Sequence, residues 1–342
     1  VNEPQPVQRR EIRTALGLFC ATLLSVYATY GWLWSADGDP WRWGPTARDS
    51  AVFAMALMAI LGAHELGHWA VARRHGFALS LPYFIPFPAG FGTFGAIIRL
   101  QSLPRSRTAL LEMGAAGPLA GMAVAVACLA LGLPATEAGP PVMPPLPEGV
   151  VEPGPWVVAI ADVLDHVLSW GPMAWVAGQL SPPVPDGHLP VLIFNNPPVM
   201  DLMGGWILGS PPGRFDTLGP LALAGWVGCF LTALNLVPIG QLDGGHVLNA
   251  LMPRHAARIS RVVLGLVMAA GILWTGWLVW GVLLWLLGAW RSLEVPESPP
   301  LTNRAWWVAG ATALVFALTF RAQPLEMDAL PAGPAATPVD AG

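Results

Sequence analysis

From Val262 to Trp290 the chain runs 29 residues without a charged side chain. A helix needs only about 20 apolar residues to cross a bilayer core of about 30 Å, so this stretch is either one long tilted helix or two short ones in a membrane. Further apolar runs occupy residues 15–34, 51–72, 109–133, 217–238 and 305–320. Charged residues make up 11% of the chain, against about a quarter in soluble globular proteins. The 38 glycines and 36 prolines are too many for a simple helical bundle in water, whereas membrane helices and extramembrane loops tolerate both. Seventeen tryptophans against three tyrosines fit many side chains at headgroup level. These features predict an all-α polytopic membrane protein with about six transmembrane helices. The exception is 80–104, where Pro82, Pro86 and Pro88 precede Gly90, Gly92 and Gly95. That order argues for a small membrane-associated β-hairpin or re-entrant loop.

The chain divides accordingly. Residues 1–14 form a cytoplasmic N-terminal segment, and 15–133 hold the first three spans with the loop just described. Residues 134–216 form a Pro-rich extracytoplasmic segment whose only basic residue is Arg214. An amphipathic helix is predicted there at about 156–170, with Val157, Ile160, Val163, Leu164 and Val167 on its apolar side. Residues 217–320 hold the remaining spans, and 321–342 form a flexible, acidic, Pro/Ala-rich tail. The positive-inside rule sets the sides. Arg9, Arg10 and Arg13, then Arg73, Arg74, Arg99, Arg105 and Arg107, then Arg254, Arg258 and Arg261, all fall on the inner side if the N-terminus is inside. The N-terminal apolar run leads into Trp-rich sequence and lacks the small-residue site of a cleavable signal.

The formal charge of −4 is sparse and spread out. No basic patch with interleaved aromatics appears, which argues against nucleic acid as a partner. Cys20, Cys128 and Cys229 all lie inside apolar runs, so neither a disulfide framework nor a thiolate zinc site is indicated. All 17 basic residues are arginine, a bias that points to a GC-rich genome and, with the membrane reading, to a bacterial inner membrane.

At the end of the second apolar run stands His64-Glu65-Leu66-Gly67-His68. Positions four apart share a helix face, so both imidazoles can meet one metal ion. Glu65 sits beside them, where a carboxylate can take a proton from metal-activated water. The bland alternative is three side chains satisfying one another near the interface, but ionisable groups within a span are costly and usually functional. Two histidines need a third protein ligand. Asp243, in Asn235-Leu236-Val237-Pro238-Ile239-Gly240-Gln241-Leu242-Asp243-Gly244-Gly245-His246, is the only acid between Asp216 and Glu294, and it falls on the same inner side. Its alternative role is a helix cap before Val247 to Leu251. His246 is a further candidate to reach a metal or to support its ligands. His68 precedes Arg73 by five residues, roughly 8 Å of helix, which places the site inside the bilayer near its inner face. His75, His188 and His255 flank loops and belong to no constellation.

With Gly117-Pro118-Leu119-Ala120-Gly121 on the third span, these motifs resemble the site-2 protease family of intramembrane zinc metalloproteases, over roughly residues 50–255. The resemblance implies one zinc ion per chain held by His64, His68 and Asp243, with Glu65 as general base. It implies that Asn235 helps hold substrate or stabilise the oxyanion. Gly117 and Gly121 read as an ordinary small-xxx-small packing pair. The 82–100 loop, Phe91 to Arg99 in particular, implies a strand edge that holds an unwound substrate. The 134–216 segment departs from the family's PDZ-bearing members, since it shows no run of strands. The implied function is an intramembrane zinc endopeptidase with its active site toward the cytoplasmic side. Its partners would be the lipid bilayer and single-span membrane proteins, cut after a first cleavage outside the membrane; the sequence sets no oligomeric state. The rival reading is a membrane metal-ion transporter or sensor using the same His/Asp cluster.

Overall fold

The computed structural model describes residues 9–31, 45–76, 80–98, 106–139, 188–291 and 299–331. The chain is mostly helical. In order, the elements are α1 (Arg9–Thr29), α2 (Pro45–Arg74), β1 (Tyr83–Pro86), β2 (Thr93–Ile97), α3 (Arg107–Gly132), β3 (His188–Phe194), α4 (Pro198–Ile207), α5 (Pro220–Leu236), α6 (Asp243–Leu251), α7 (Pro253–Ala269), α8 (Thr275–Leu286), α9 (Asn303–Thr319) and β4 (Leu325–Pro331). Among the described residues, four helical stretches are long and apolar enough to cross a bilayer: Arg9–Thr29, Thr46–Arg74, Arg107–Ala135 and Pro253–Ile272. This is an integral membrane protein. The predicted amphipathic helix at 156–170 lies outside the described residues.

The bundle is built around α3, which packs against α2, α5, α6 and α9. Its start is set by Ser106, whose side chain accepts from the Ala109 N–H. Phe53 and Leu57 of α2, Leu110, Leu111 and Leu129 of α3, and Trp226 and Val227 of α5 are fully buried. In lipid, apolar contact between helices gains nothing over contact with acyl chains, so close fit carries the association. Small residues therefore sit at the contacts. A Cβ at Gly67 of α2 would overlap the Ala116 backbone of α3.

The 80–104 region forms the hairpin, with β1 antiparallel to β2 and a register shift between Phe84 and Pro86. Thr93 Oγ1 donates to the Ile85 carbonyl at 2.9 Å and accepts from the Gly95 N–H at 3.0 Å. Phe87 and Phe94 stack across it at 4.0 Å. The hairpin docks on α1 through Phe84 against Phe19 and through Gly92, which lies against the Val26 backbone at a φ of +84°. A side chain at Gly92 would both collide and strain the backbone.

The structure gives several expectations a more definite form. Among the described residues the first helix runs Arg9–Thr29, so Arg9, Arg10 and Arg13 belong to it, where long stems let the charged heads reach water. The uncharged 262–290 run divides between two helices, α7 and α8, joined at Ala270–Trp274. Gly271 permits the fold-back, because a Cβ there would lie 2.6 Å from Leu278 Cβ. The tail from 321 is not wholly flexible: β4 pairs antiparallel with β3 from His188↔Pro331 to Phe194↔Leu325. That makes a second two-stranded sheet and places strand β3 within the 134–216 segment. Arg214 bridges Glu326 and Asp328 at 2.9 and 3.0 Å, and Asn195 Nδ2 donates to the Gln323 carbonyl at 2.9 Å. These partners are more than a hundred residues away in the chain, beyond the reach of local periodicity.

His75 is not isolated either. Its Nε2 lies 2.8 Å from Glu112 Oε2, and Arg304 Nε lies 3.3 Å from Glu112 Oε1. One buried carboxylate on α3 thus joins the end of α2 to the start of α9.

Candidate metal centre

His64 and His68 lie one turn apart on α2, with the apolar stretch Ala51–Ala63 before them and Arg73 and Arg74 closing the helix after them. Arg73 rests over the Trp69 ring at 4.6 Å, a cation–π contact suited to a membrane boundary. His64 and Glu65 are each only 7% exposed. Burying an acid or a base at such depth costs on the order of 3 kcal/mol apiece on insertion scales, so the groups require partners.

The principal partner is Asp243. His64 Nε2 lies 3.1 Å from its Oδ2, and His68 Nε2 lies 3.3 Å from its Oδ1. The two Nε2 atoms are 3.1 Å apart. His68 Nδ1 is 2.8 Å from the Met113 carbonyl of α3. A carbonyl only accepts, so Nδ1 carries a proton, and Nε2 is the ring atom turned to the cluster. That arrangement orients and enriches a metal-ligating imidazole. Two imidazole nitrogens and a carboxylate turned toward one another call for a cation or a proton between them.

The donor set fits zinc. Taking one ligand atom from each of His64, His68 and Asp243, all three lie within 4.8 Å of one another, close enough to converge on one ion. Two imidazoles with one carboxylate leave a fourth position for water or substrate. Glu65 follows His64 directly and lies within electrostatic reach of His64, His68 and Asp243. Asp243 is the first residue of α6, but the helix has no side-chain cap; its carboxylate is turned to the histidines. The capping alternative is therefore not what this side chain does.

Asp243 reaches that place because the preceding loop is tightly held. Gly240, at a φ of +31°, donates its N–H to Ser260 Oγ at 3.0 Å. Gln241 donates its N–H to the Ala289 carbonyl at 2.8 Å. Buried Asn249 donates to the carbonyls of Gly245 and Gly240 at 2.8 and 3.4 Å. Gly244 and Gly245 lie so close to the carbonyls of Leu236 and Ile239 that a Cβ at either would overlap them. At the far end of α6, Arg107 Nε and Nη2 donate to the Ala250 and Leu251 carbonyls at 2.7 and 2.8 Å. A cation at a helix C-terminus is favoured by the dipole as well as by these bonds.

The glycines of α3 do more than pack. A Cβ at Gly117 would overlap the His68 ring, one at Gly121 would lie 3.1 Å from His64 Cβ, and one at Gly114 would lie 2.8 Å from His246 Cβ. The missing side chains are the space in which the imidazoles stand. Sequence reasoning took Gly117 and Gly121 for ordinary packing and passed over Gly114, Met113, Asn249 and Arg107; spacing carries no signal for a backbone acceptor or for room around a ring. His246 places a buried Nδ1 without a hydrogen-bond partner among the described residues. Asn235 is half-buried in the last turn of α5, at the head of the loop that ends in Asp243.

The family model for peptidase family M50 matches residues 52–278, well over half of the chain and inclusive of every residue of this cluster. The chain belongs to peptidase family M50, the site-2 protease family. Relatives include the rice (Oryza sativa subsp. indica) "Probable zinc metalloprotease EGY2, chloroplastic", 29% identical over 274 residues, covering 79% of this chain and 42% of the relative. The Arabidopsis thaliana "Probable zinc metalloprotease EGY1, chloroplastic" is 29% identical over 275 residues, 78% of this chain and 42% of the relative. A rice "Probable zinc metalloprotease EGY3, chloroplastic" is 25% identical over 289 residues, 80% of this chain and 42% of the relative. This M50 chain thus spans less than half the length of the curated relatives it matches. No solved structure matches it. The relatives' chloroplastic names do not support the bacterial inner membrane expected from the all-arginine composition, since codon bias is not a targeting signal.

Proposed function

We propose that this M50 chain is an intramembrane zinc endopeptidase that cuts single-span membrane proteins within the bilayer. The observation that carries this reading is the convergence of Asp243 on His64 and His68 beside buried Glu65, the last three on a helix long and apolar enough to span. When bound there, zinc supplies Lewis acidity, polarising a peptide carbonyl and lowering the pKa of water. The residues do the rest. His64, His68 and Asp243 hold the ion; Met113 fixes the ring of His68. Glu65 takes the proton of the attacking water at its carboxylate and delivers it to the leaving amine. Asn235 holds the substrate backbone or the developing oxyanion from the head of the loop. The β1–β2 hairpin, exposing Phe94 and Ile97, offers a strand edge to an unwound substrate segment. The transporter or sensor reading is not favoured by membership of a peptidase family, and it gives buried Glu65 no task.

The test is cleavage of a tagged single-span protein, its helix weakened by Gly and Pro, by the purified chain in detergent. Chelation should abolish cleavage and zinc should restore it. Cleavage that survives complete metal removal, or zinc-loaded protein inert on several such substrates, would sink the proposal.

The same reading fixes a topology, with about six spans formed by α1, α2, α3, α5, α7 and α9, and the site toward the inner side. In it, 1–14 stays inside and 134–216 outside. Helix α8, only 12 residues long, makes a short return from the outer end of α7 to the inner side, bringing Ala289 to Gln241 beside the site; this return is a further crossing, so the N-terminus and β4 lie on opposite sides. Because β4 pairs with β3, β4 lies outside with the 134–216 segment. A single cysteine at Gln323, exposed just before β4, in a chain with Cys20, Cys128 and Cys229 replaced by serine, should react with an impermeant maleimide from the outer side only. Labelling from the inner side alone would overturn this arrangement.

A further inference from the structure

Glu112 is a buried carboxylate with no part in the chemistry proposed above. Its side chain is 9% exposed, and it stands on α3 immediately before Met113, whose carbonyl holds the ring of His68. We propose that Glu112 is a positioning residue for the metal centre: by clasping His75 it sets the register of α2 along α3, and so the place of the His68 ring. The inference rests on the centre assigned to His64, His68 and Asp243, and not on the reaction performed there.

The contacts between the two helices form one antiparallel ladder. His64 stands against Gly121, His68 against Gly117, and Gly67 against the Ala116 backbone. The innermost rung is His75 against Glu112, with Nε2 2.8 Å from Oε2. A carboxylate only accepts, so His75 donates through Nε2. Its own N–H bonds to the Val71 carbonyl at 3.1 Å, which continues the last turn of α2. His75 therefore follows His68 by seven residues on the same face, two turns or about 10 Å further in. On the α3 side the other rungs are glycine and alanine. Such residues let backbones approach but interlock little, and in lipid apolar contact alone does not drive helices together. A directional bond to a buried acid supplies the axial register that those smooth rungs lack. Arg304 Nε meets the second carboxylate oxygen at 3.3 Å, so the acid is itself held from two sides. A slip of α2 along α3 would open the 2.8 Å contact between His68 Nδ1 and the Met113 carbonyl and carry the ring away from Asp243.

The test reads zinc rather than cleavage. Zinc affinity of the purified full chain in detergent is measured by competition with a chromogenic chelator, alongside thermal unfolding of the zinc-free protein. The variants are Glu112→Leu, Glu112→Gln, His75→Leu, and Glu112→Leu with His75→Leu. His75 has a further interaction of its own, so Glu112→Leu is the primary variant; His75→Leu tests the same contact from α2 should loss of the acid prevent folding. Removing the acid strands no buried charge, because the Arg304 and His75 side chains are 63% and 27% exposed and an apolar side chain in place of a buried ion need not cost stability. Glu112→Leu is expected to weaken zinc binding about tenfold, the lower end of what loss of a supporting group costs a metal site, with little change in unfolding of the zinc-free chain. Glu112→Gln keeps an acceptor oxygen and should lose less. The double variant should bind zinc no more weakly than the weaker single variant, because the two side chains make one contact. Native-like affinity in Glu112→Leu would overturn the proposal, and so would additive losses in the double variant. A loss of zinc matched by a fall in zinc-free stability would make Glu112 a general prop and overturn it as well. The metal centre itself fails separately, if zinc binding by the native chain survives His68→Ala.

Discussion

A Glu65→Gln chain is expected to bind zinc like the native protein and to cleave a membrane substrate about 10²–10⁴-fold more slowly, the range that a positioned general base supplies. The substitution keeps the volume and hydrogen-bonding shape of a side chain whose residue is only 7% exposed, so the packing of α2 should not change. The three donors that face one another belong to His64, His68 and Asp243; Glu65 is not among them, and its loss removes no ligand. What the amide lacks is a basic oxygen able to take a proton and return it. The check is zinc content and single-turnover cleavage measured on the same preparations. A parallel fall in zinc would make Glu65 a ligand or a structural prop, and undiminished cleavage would place the base elsewhere.

Gly117→Ala is the second large effect. One methyl group at this position overlaps the His68 imidazole, and the ring cannot turn aside without losing either the Met113 carbonyl or its place beside His64 and Asp243. Displacing a reacting group by about 1 Å costs on the order of 100-fold, so cleavage should fall at least that far, with loss of bound zinc. Gly121→Ala should be milder, because its methyl would meet His64 Cβ at 3.1 Å, and Gly62→Ala should be silent, since nothing lies within 4 Å of that position. The graded series separates room for the rings from general helix packing. Equal defects at Gly62 and Gly117 would mean that the glycines serve helix association alone.

Membrane residence and the helical make-up were legible because charge-free runs of span length leave a chain few alternatives in either solvent. The pair His64 and His68 with Glu65 was legible because a helix converts a spacing of four into a shared face. The hairpin was legible from its proline and glycine order. The chain's second sheet was not. β3 and β4 pair across more than a hundred residues, and a seven-residue strand in a proline-rich segment looks like loop until its partner is known. The break at Ala270–Trp274 was visible only as an ambiguity of length.

The sequence by itself determined that this chain would live in a membrane, that two histidines and a glutamate would share a turn of helix, and that a lone acid would follow a broken helix on the same side. Those are consequences of charge, periodicity and proline, which act locally. The tertiary structure decided that Asp243 turns its carboxylate onto both histidines rather than capping α6, that the Met113 carbonyl holds the ring of His68, and that Gly114, Gly117 and Gly121 leave space for imidazoles. Each of these depends on where backbone from one helix meets side chains from another, and in a bilayer that is settled by close fit between helices, which residue spacing along the chain does not encode.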